Sequence, residues 1–193
     1  MSNYRQVIDE FKEKKDEGLL KNFKCKHNGK TGYYESFDEN YFNRKNLIFE
    51  LYNKYSAQDK PLIKWLLQEE LKGFEFEIPV YTTDMCAYML YKHMENEDVY
   101  DLFEAKFGAG TDTQVHVDIE LVFGLDRELT KEYLKNKKTN KKQSNEILKA
   151  IKHYESNPNA KFKSREEYID YFETKKINRI KGELEEFENY DGD

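Results

Sequence analysis

Proline and glycine are scarce, at 3 and 9 residues out of 193. These residues punctuate regular backbone, so a chain with so few is either largely helical or disordered. Regular apolar spacing over most of the length excludes disorder there. Cysteine is nearly missing too. Cys25 and Cys86 cannot make a disulfide framework, which points to a reducing compartment. No run of about 18 apolar residues occurs, so no membrane-crossing helix is expected. The opening MSNYRQVIDEFKEKKDE is charged and lacks the apolar core of a signal peptide. A cationic excess is also lacking. The net charge of −6 disfavours a general nucleic-acid binder, which needs a basic footprint, and suits a basic protein partner. A soluble cytoplasmic protein is expected. The Lys, Asn, Tyr and Ile bias suits AT-rich codons, as in a low-GC bacterium.

Aromatic residues are abundant: 15 Tyr and 13 Phe. Each buries a large area, so a core can form although only 38% of residues are hydrophobic. The length fits one domain. The spacing predicts a first helix over 3–16, on Tyr4, Val7, Ile8 and Phe11. A loop follows over 17–36, interrupted by Gly18, Gly29 and Gly32, where NGK could turn a hairpin. Further helices are predicted over 38–55 and 58–72, the second capped by Ser56, with Pro61 in its first turn and Gly73 as C-cap. FEFEIPVY (74–81) reads as an extended connector. Thr82 or Thr83 then caps a helix running to about Met94, followed by helices over 98–107 and 113–123, with Val115 facing inward. Gly124 and Asp126 stop and restart the chain, with Leu129 inward. Residues 135–145 read as a lysine-rich connector. One more helix ends at Asn157–Pro158, and a long charged helix opens with a Ser164/Glu167 capping box. Gly182 weakens that helix, and Asp191 to Asp193 are read as loose.

Residues 83–107 and 112–136 both read as helix, tight turn, helix, a period found in stacked helical repeats. Around them, YNKYSAQDKPLIKWLLQEEL, EDVYDLFEAKF and DIELVFGLDRELTKEYLK resemble uncharacterised bacterial proteins. Those proteins pair EDVW-LxWEAK with xDIxLLxxAGxExTxxYL. The resemblance covers about residues 45–136 and implies a HEAT-like α-α array with no assigned activity. Tyr100 and Phe103 stand where its pattern has tryptophan. Some small bacterial immunity proteins are similar in architecture. The expectation is therefore an all-α fold of stacked antiparallel helix pairs with a long C-terminal helix. It forms a single domain over 1–193, with 1–36 as an appendage to an array over 37–190.

Several stretches carry the residue types of chemistry. GAGTDT follows a helix and lacks the remaining signature of a dinucleotide loop or P-loop, so it reads as a corner. His116 and Glu120 stand four apart, where one helix would present both to a metal, but a site needs three or four converging ligands. Asp118 between them points elsewhere. Cys25–His27 and Cys86–His93 lack zinc spacing. Lys131, Lys135, Lys137, Lys138, Lys141 and Lys142 form a basic run, read as a solvated connector. Glu95, Glu97, Asp98, Asp101 and Glu104 cluster at one turn, with Asp112, Asp118 and Glu120 in the next unit. Aligned loops would make these a negative ridge able to steer a basic partner.

No cofactor is expected. The sequence suggests a non-enzymatic protein-binding module, immunity- or antitoxin-like, acting on a basic protein. Glu97, Asp98, Asp101, Glu104 and Asp118 would supply charge, and Tyr81, Tyr91 and Tyr100 would be exposed anchors. Its rivals are a metal-dependent hydrolase using His116 and Glu120, and a nucleic-acid binder using the 131–142 lysines.

Overall fold

A computed structural model of the chain describes residues 3–30 and 37–189. The fold is all-α. In chain order the helices are α1 (Tyr4–Lys14), α2 (Tyr41–Asn53), α3 (Lys60–Gly73), α4 (Tyr81–Lys92), α5 (Val99–Phe107), α6 (Thr111–His116), α7 (Ile119–Phe123), α8 (Arg127–Asn136) and α9 (Lys141–Glu155). A long C-terminal helix closes the chain as α10 (Arg165–Tyr171), one π turn (Phe172–Lys176) and α11 (Ile177–Asn189). Between α1 and α2 lies a 3-10 segment, Glu17–Phe23. An antiparallel bridge from His27 to Asp38 then closes the base of the loop. Residues 31–36, Gly32 included, and Asp191 to Asp193 lie outside the described residues.

Neighbouring helices pack as pairs, α1 on α2, α3 on α4 and α8 on α9. The larger core gathers Ile8, Leu47, Leu66, Met89, Phe172 and Leu184 from α1 to α4 and the C-terminal helix. Within it the rings of Tyr88 and Phe172 stack at 3.7 Å. Full burial of each such side chain stabilises by about 1.5–3 kcal/mol. A second cluster joins Val99, Ile119, Val122, Leu134, Ile147 and Ile151 from α5, α7, α8 and α9.

Several local expectations give way to tertiary contacts. Gly73 ends α3 with an ordinary φ of −65°, and the left-handed residue is Glu77. A Cβ at 73 would meet the Ile78 side chain, which would have to shift. Residues 74–76 form a 3-10 turn instead of an extended connector. α4 starts two or three residues early at Tyr81, and the threonines expected to cap it are buried, Thr82 donating to Glu70. The basic connector is mostly helical: α8 runs to Asn136 and α9 begins at Lys141. The helix expected over 113–123 is broken at Val117, whose ψ of 116° is extended. Val115 and Leu129, expected inward, are 76% and 60% exposed. The capping boxes at Ser56/Asp59, Glu95/Asp98 and Ser164/Glu167 are formed.

Candidate functional site

The break at Val117 brings the ionisable groups together. Ending a helix there leaves carbonyls that need donors. Two buried lysines supply them. Lys106 of α5 donates to the carbonyls of Gln114 and Val117, at 2.6 Å each. Lys176, at the end of the π turn, donates to the carbonyl of His116 (2.7 Å) and to Asp118 Oδ2 (2.6 Å). Its Nζ also lies 2.7 Å from Asp84 Oδ2 of α4. All three protons of the ammonium therefore face acceptors. Tyr168 of α10 donates to the same Asp118 oxygen at 2.9 Å. The π turn sets both Phe172 and Lys176 on the buried side just before Ile177.

The centre of this cluster is closed, although Asp118 at its edge is partly exposed. Lys176 and Asp84 side chains are each 1% exposed. Burial pushes the Asp84 carboxyl up to about 6 against the pull of Lys176. Its Oδ1 has no hydrogen-bond partner among the described residues. Burial pulls Lys176 down, but Asp84 and Asp118 outweigh it and hold the ammonium above its ordinary value, so it stays charged. A charged, fully engaged lysine is neither a general base nor a nucleophile.

A second closed network sits under α2. Arg44 is fully buried. Its Nε donates to Glu70 at 2.5 Å, and its Nη2 lies 2.7 Å from Asp38 Oδ2, ion-paired without hydrogen-bond alignment. Glu70 also accepts from Thr82. Cys25 beside it has its thiol pushed up to about 12, mainly by burial and then by Asp38. Cys86 is buried and also raised. Neither thiol is activated, since reactivity requires the thiolate.

His116 and Glu120 fall on different helices, so their four-residue spacing no longer puts them on one face. The His116 ring meets the edge of Tyr81 at 5.4 Å, while Glu120 accepts from the Lys163 backbone N–H at 3.2 Å. Burial, followed by Arg179 and Lys176, lowers the His116 pKa. Among the described residues no three His, Cys, Asp or Glu side chains converge as metal ligands.

The proposed acidic ridge is divided. Asp98 is buried. It caps the turn before α5 by accepting from Glu95 N–H at 2.7 Å, and it pairs with Lys60 (2.9 Å) and Lys64 (2.5 Å) of α3. Although burial opposes it, these contacts hold its carboxyl below the ordinary value. Asp101 pairs with Lys64 at 2.9 Å, and Asp118 belongs to the Lys176 cluster. Glu97 and Glu104 remain exposed. Tyr91, expected as an exposed anchor, is 1% exposed and packs edge-on against Tyr168. Tyr81 is half-buried, donates to Glu183 at 3.0 Å and has its phenol raised to about 12, chiefly by burial. Tyr100 shares a 2.7 Å hydrogen bond with Ser144 of α9.

The sequence reading missed an apolar groove. Leu125 (39% exposed) and Leu129 (60% exposed) line a cleft of about 480 Å³ with Asn96, Tyr133, Glu132 and Lys137. Its rim takes in the turn that carries Glu95 and Glu97. Leu129 matched a helical apolar stripe, and that stripe does not say which apolar positions find a neighbour.

Comparison of the chain with protein-family models, with curated proteins and with solved structures found no match. The resemblance over residues 45–136 rests on its sequence motifs alone.

Proposed function

We propose that the chain is a non-catalytic protein-binding module, and that its contact face is the leucine groove between the 95–98 turn and α8. One observation carries this reading. Leu125 and Leu129, two large apolar side chains, stand exposed side by side in a cleft. Glu132 and Lys137 line the cleft with them, and Glu97 is exposed in the turn whose Asn96 also lines it. An apolar centre with a charged rim is the layout of a protein interface. Glu132 in the lining, with Glu97 on the adjoining turn, suits a basic partner with an apolar anchor, which keeps an immunity-like inhibitor as the concrete form. Charge at Asp98, Asp101 and Asp118 serves the fold in this reading, and the rim acids serve recognition. The engaged state of the Lys176 and Arg44 networks supports a non-enzymatic role, because among the described residues neither holds an activated nucleophile or base.

The test is co-expression of the chain with the products of its neighbouring genes, followed by purification on a tag. A neighbour product should co-purify with the wild type. Leu129→Asp should abolish retention, and Glu97→Lys should weaken it more at low salt than at high salt. Retention unaffected by Leu129→Asp, or no retained neighbour, would refute the groove.

A further inference from the structure

The net charge of −6 conceals a segregation. Residues 127–163 hold eleven Lys and Arg against four Glu and Asp, a net of +7, which leaves −13 on the rest of the chain. This segment is the α8–α9 hairpin with its exit. Lys131 and Arg127 are used internally, since Lys131 pairs with Glu155 at 2.9 Å and Arg127 lies over the Phe123 and Phe162 rings. Lys135, Lys138, Lys141, Lys142, Lys149 and Lys152 are exposed, and among the described residues they have no ion-pair partner.

Four of these belong to α9. At about 100° per residue, Lys141, Lys152, Lys149 and Lys142 fall within an arc of about 100°. Asn145 shares the arc, and no acid does. Ile147 and Ile151 are buried and lie on the opposite side, so the arc points away from the core. The stripe runs about 16 Å along the helix at 1.5 Å per residue.

From this geometry we infer that the outer face of α9 is a docking surface for the phosphate backbone of a nucleic-acid duplex, bound without base recognition. The composition separates this occupant from others. Lysine is depleted at protein interfaces but is a standard phosphate contact. The stripe has no arginine to read a guanine edge bidentately. It has no aromatic platform for stacking unpaired bases, and no apolar face to enter a membrane surface. Lys135 and Lys138 extend the positive surface into α8 and the turn. This inference does not depend on the groove reading.

The test is fluorescence anisotropy of the full chain with labelled 20-base-pair DNA and RNA duplexes, with a single strand and a poly-glutamate peptide as comparators. Binding to a duplex should weaken with a log–log salt slope of about −4, at roughly 0.9 per phosphate contacted. That is a loss on the order of a hundredfold between 50 and 200 mM salt. The variant Lys141→Gln/Lys142→Gln/Lys149→Gln/Lys152→Gln should lose binding while keeping the wild-type circular dichroism and melting curve. Leu129→Asp should bind duplexes as the wild type does. Equal preference for DNA and RNA, or preference for one, names the source within the proposal. No duplex binding at 50 mM salt, binding unchanged in the quadruple variant, or tighter binding of poly-glutamate than of duplex would each overturn it.

Discussion

Lys176 keeps a full positive charge inside the protein because three acceptors from two segments, α4 and the 116–118 break, meet it, and removing it strands what it holds. Lys176→Met should cost about 3 kcal/mol at pH 7.5, the usual penalty for leaving a buried charge unpaired. The cost should shrink towards pH 5. Asp84 has a raised folded pKa of about 6. Its contribution to stability is therefore present below its unfolded value and lost as pH rises through about 6. Without the ammonium its pKa climbs further, and protonation relieves the stranded carboxyl earlier. Urea unfolding at the two pH values reads the difference, and an equal cost at both would contradict the pairing. None of this was legible at the residue level. A lysine in FETKKINRI looks like any surface lysine, and an aspartate five places after a proline looks like a helix-capping acid. Asp98 shows the opposite case: its turn position was legible, but its burial under Lys60 and Lys64 was not.

At the scale of elements, most helices could be read to within a few residues, because apolar spacing and caps are local. The Ser164/Glu167 box and the Asp126 cap were visible, and both form: Asp126 accepts from the N–H groups of Glu128 and Leu129. Gly124 was read as a stop, and its φ of 73° with Thr130 pressed against it leaves no room for a Cβ. The split between α6 and α7 was not visible. DTQVHVDIELVF has a continuous helical pattern, and the break at Val117 exists because Lys106 and Lys176 take its carbonyls. The consequence is testable. Lys106→Met should leave the Gln114 and Val117 carbonyls without their donor and open residues 111–118. Hydrogen exchange by mass spectrometry should then show faster exchange there, with α3 unaffected. The lysine-rich stretch was likewise read as a connector. Polar composition masked only the first turn of α9, residues 141–144, ahead of the part that carries Ile147 and Ile151.

At the scale of the whole molecule, the two apolar clusters share helices, since α5 touches both α3 and α9. They should unfold together. The single tryptophan, Trp65 of α3, packs on the larger cluster. Its fluorescence and the far-ultraviolet circular dichroism should give one coincident urea midpoint, as two-state unfolding requires. Separate midpoints would divide the chain into two units. What the sequence determined alone was the all-α class, the order of the helices and most of their ends. These follow from periodicity, scarce breakers and capping residues, all encoded within a few positions. Tertiary structure alone decided which charges were spent and which were left free. Asp98, Lys106 and Lys176 became internal, and Asp118 was drawn into an ion pair, because segments distant in sequence met, while the α9 lysines, Leu125 and Leu129 stayed exposed. Whether a side chain is paired depends on contacts across the chain, which a local pattern does not contain.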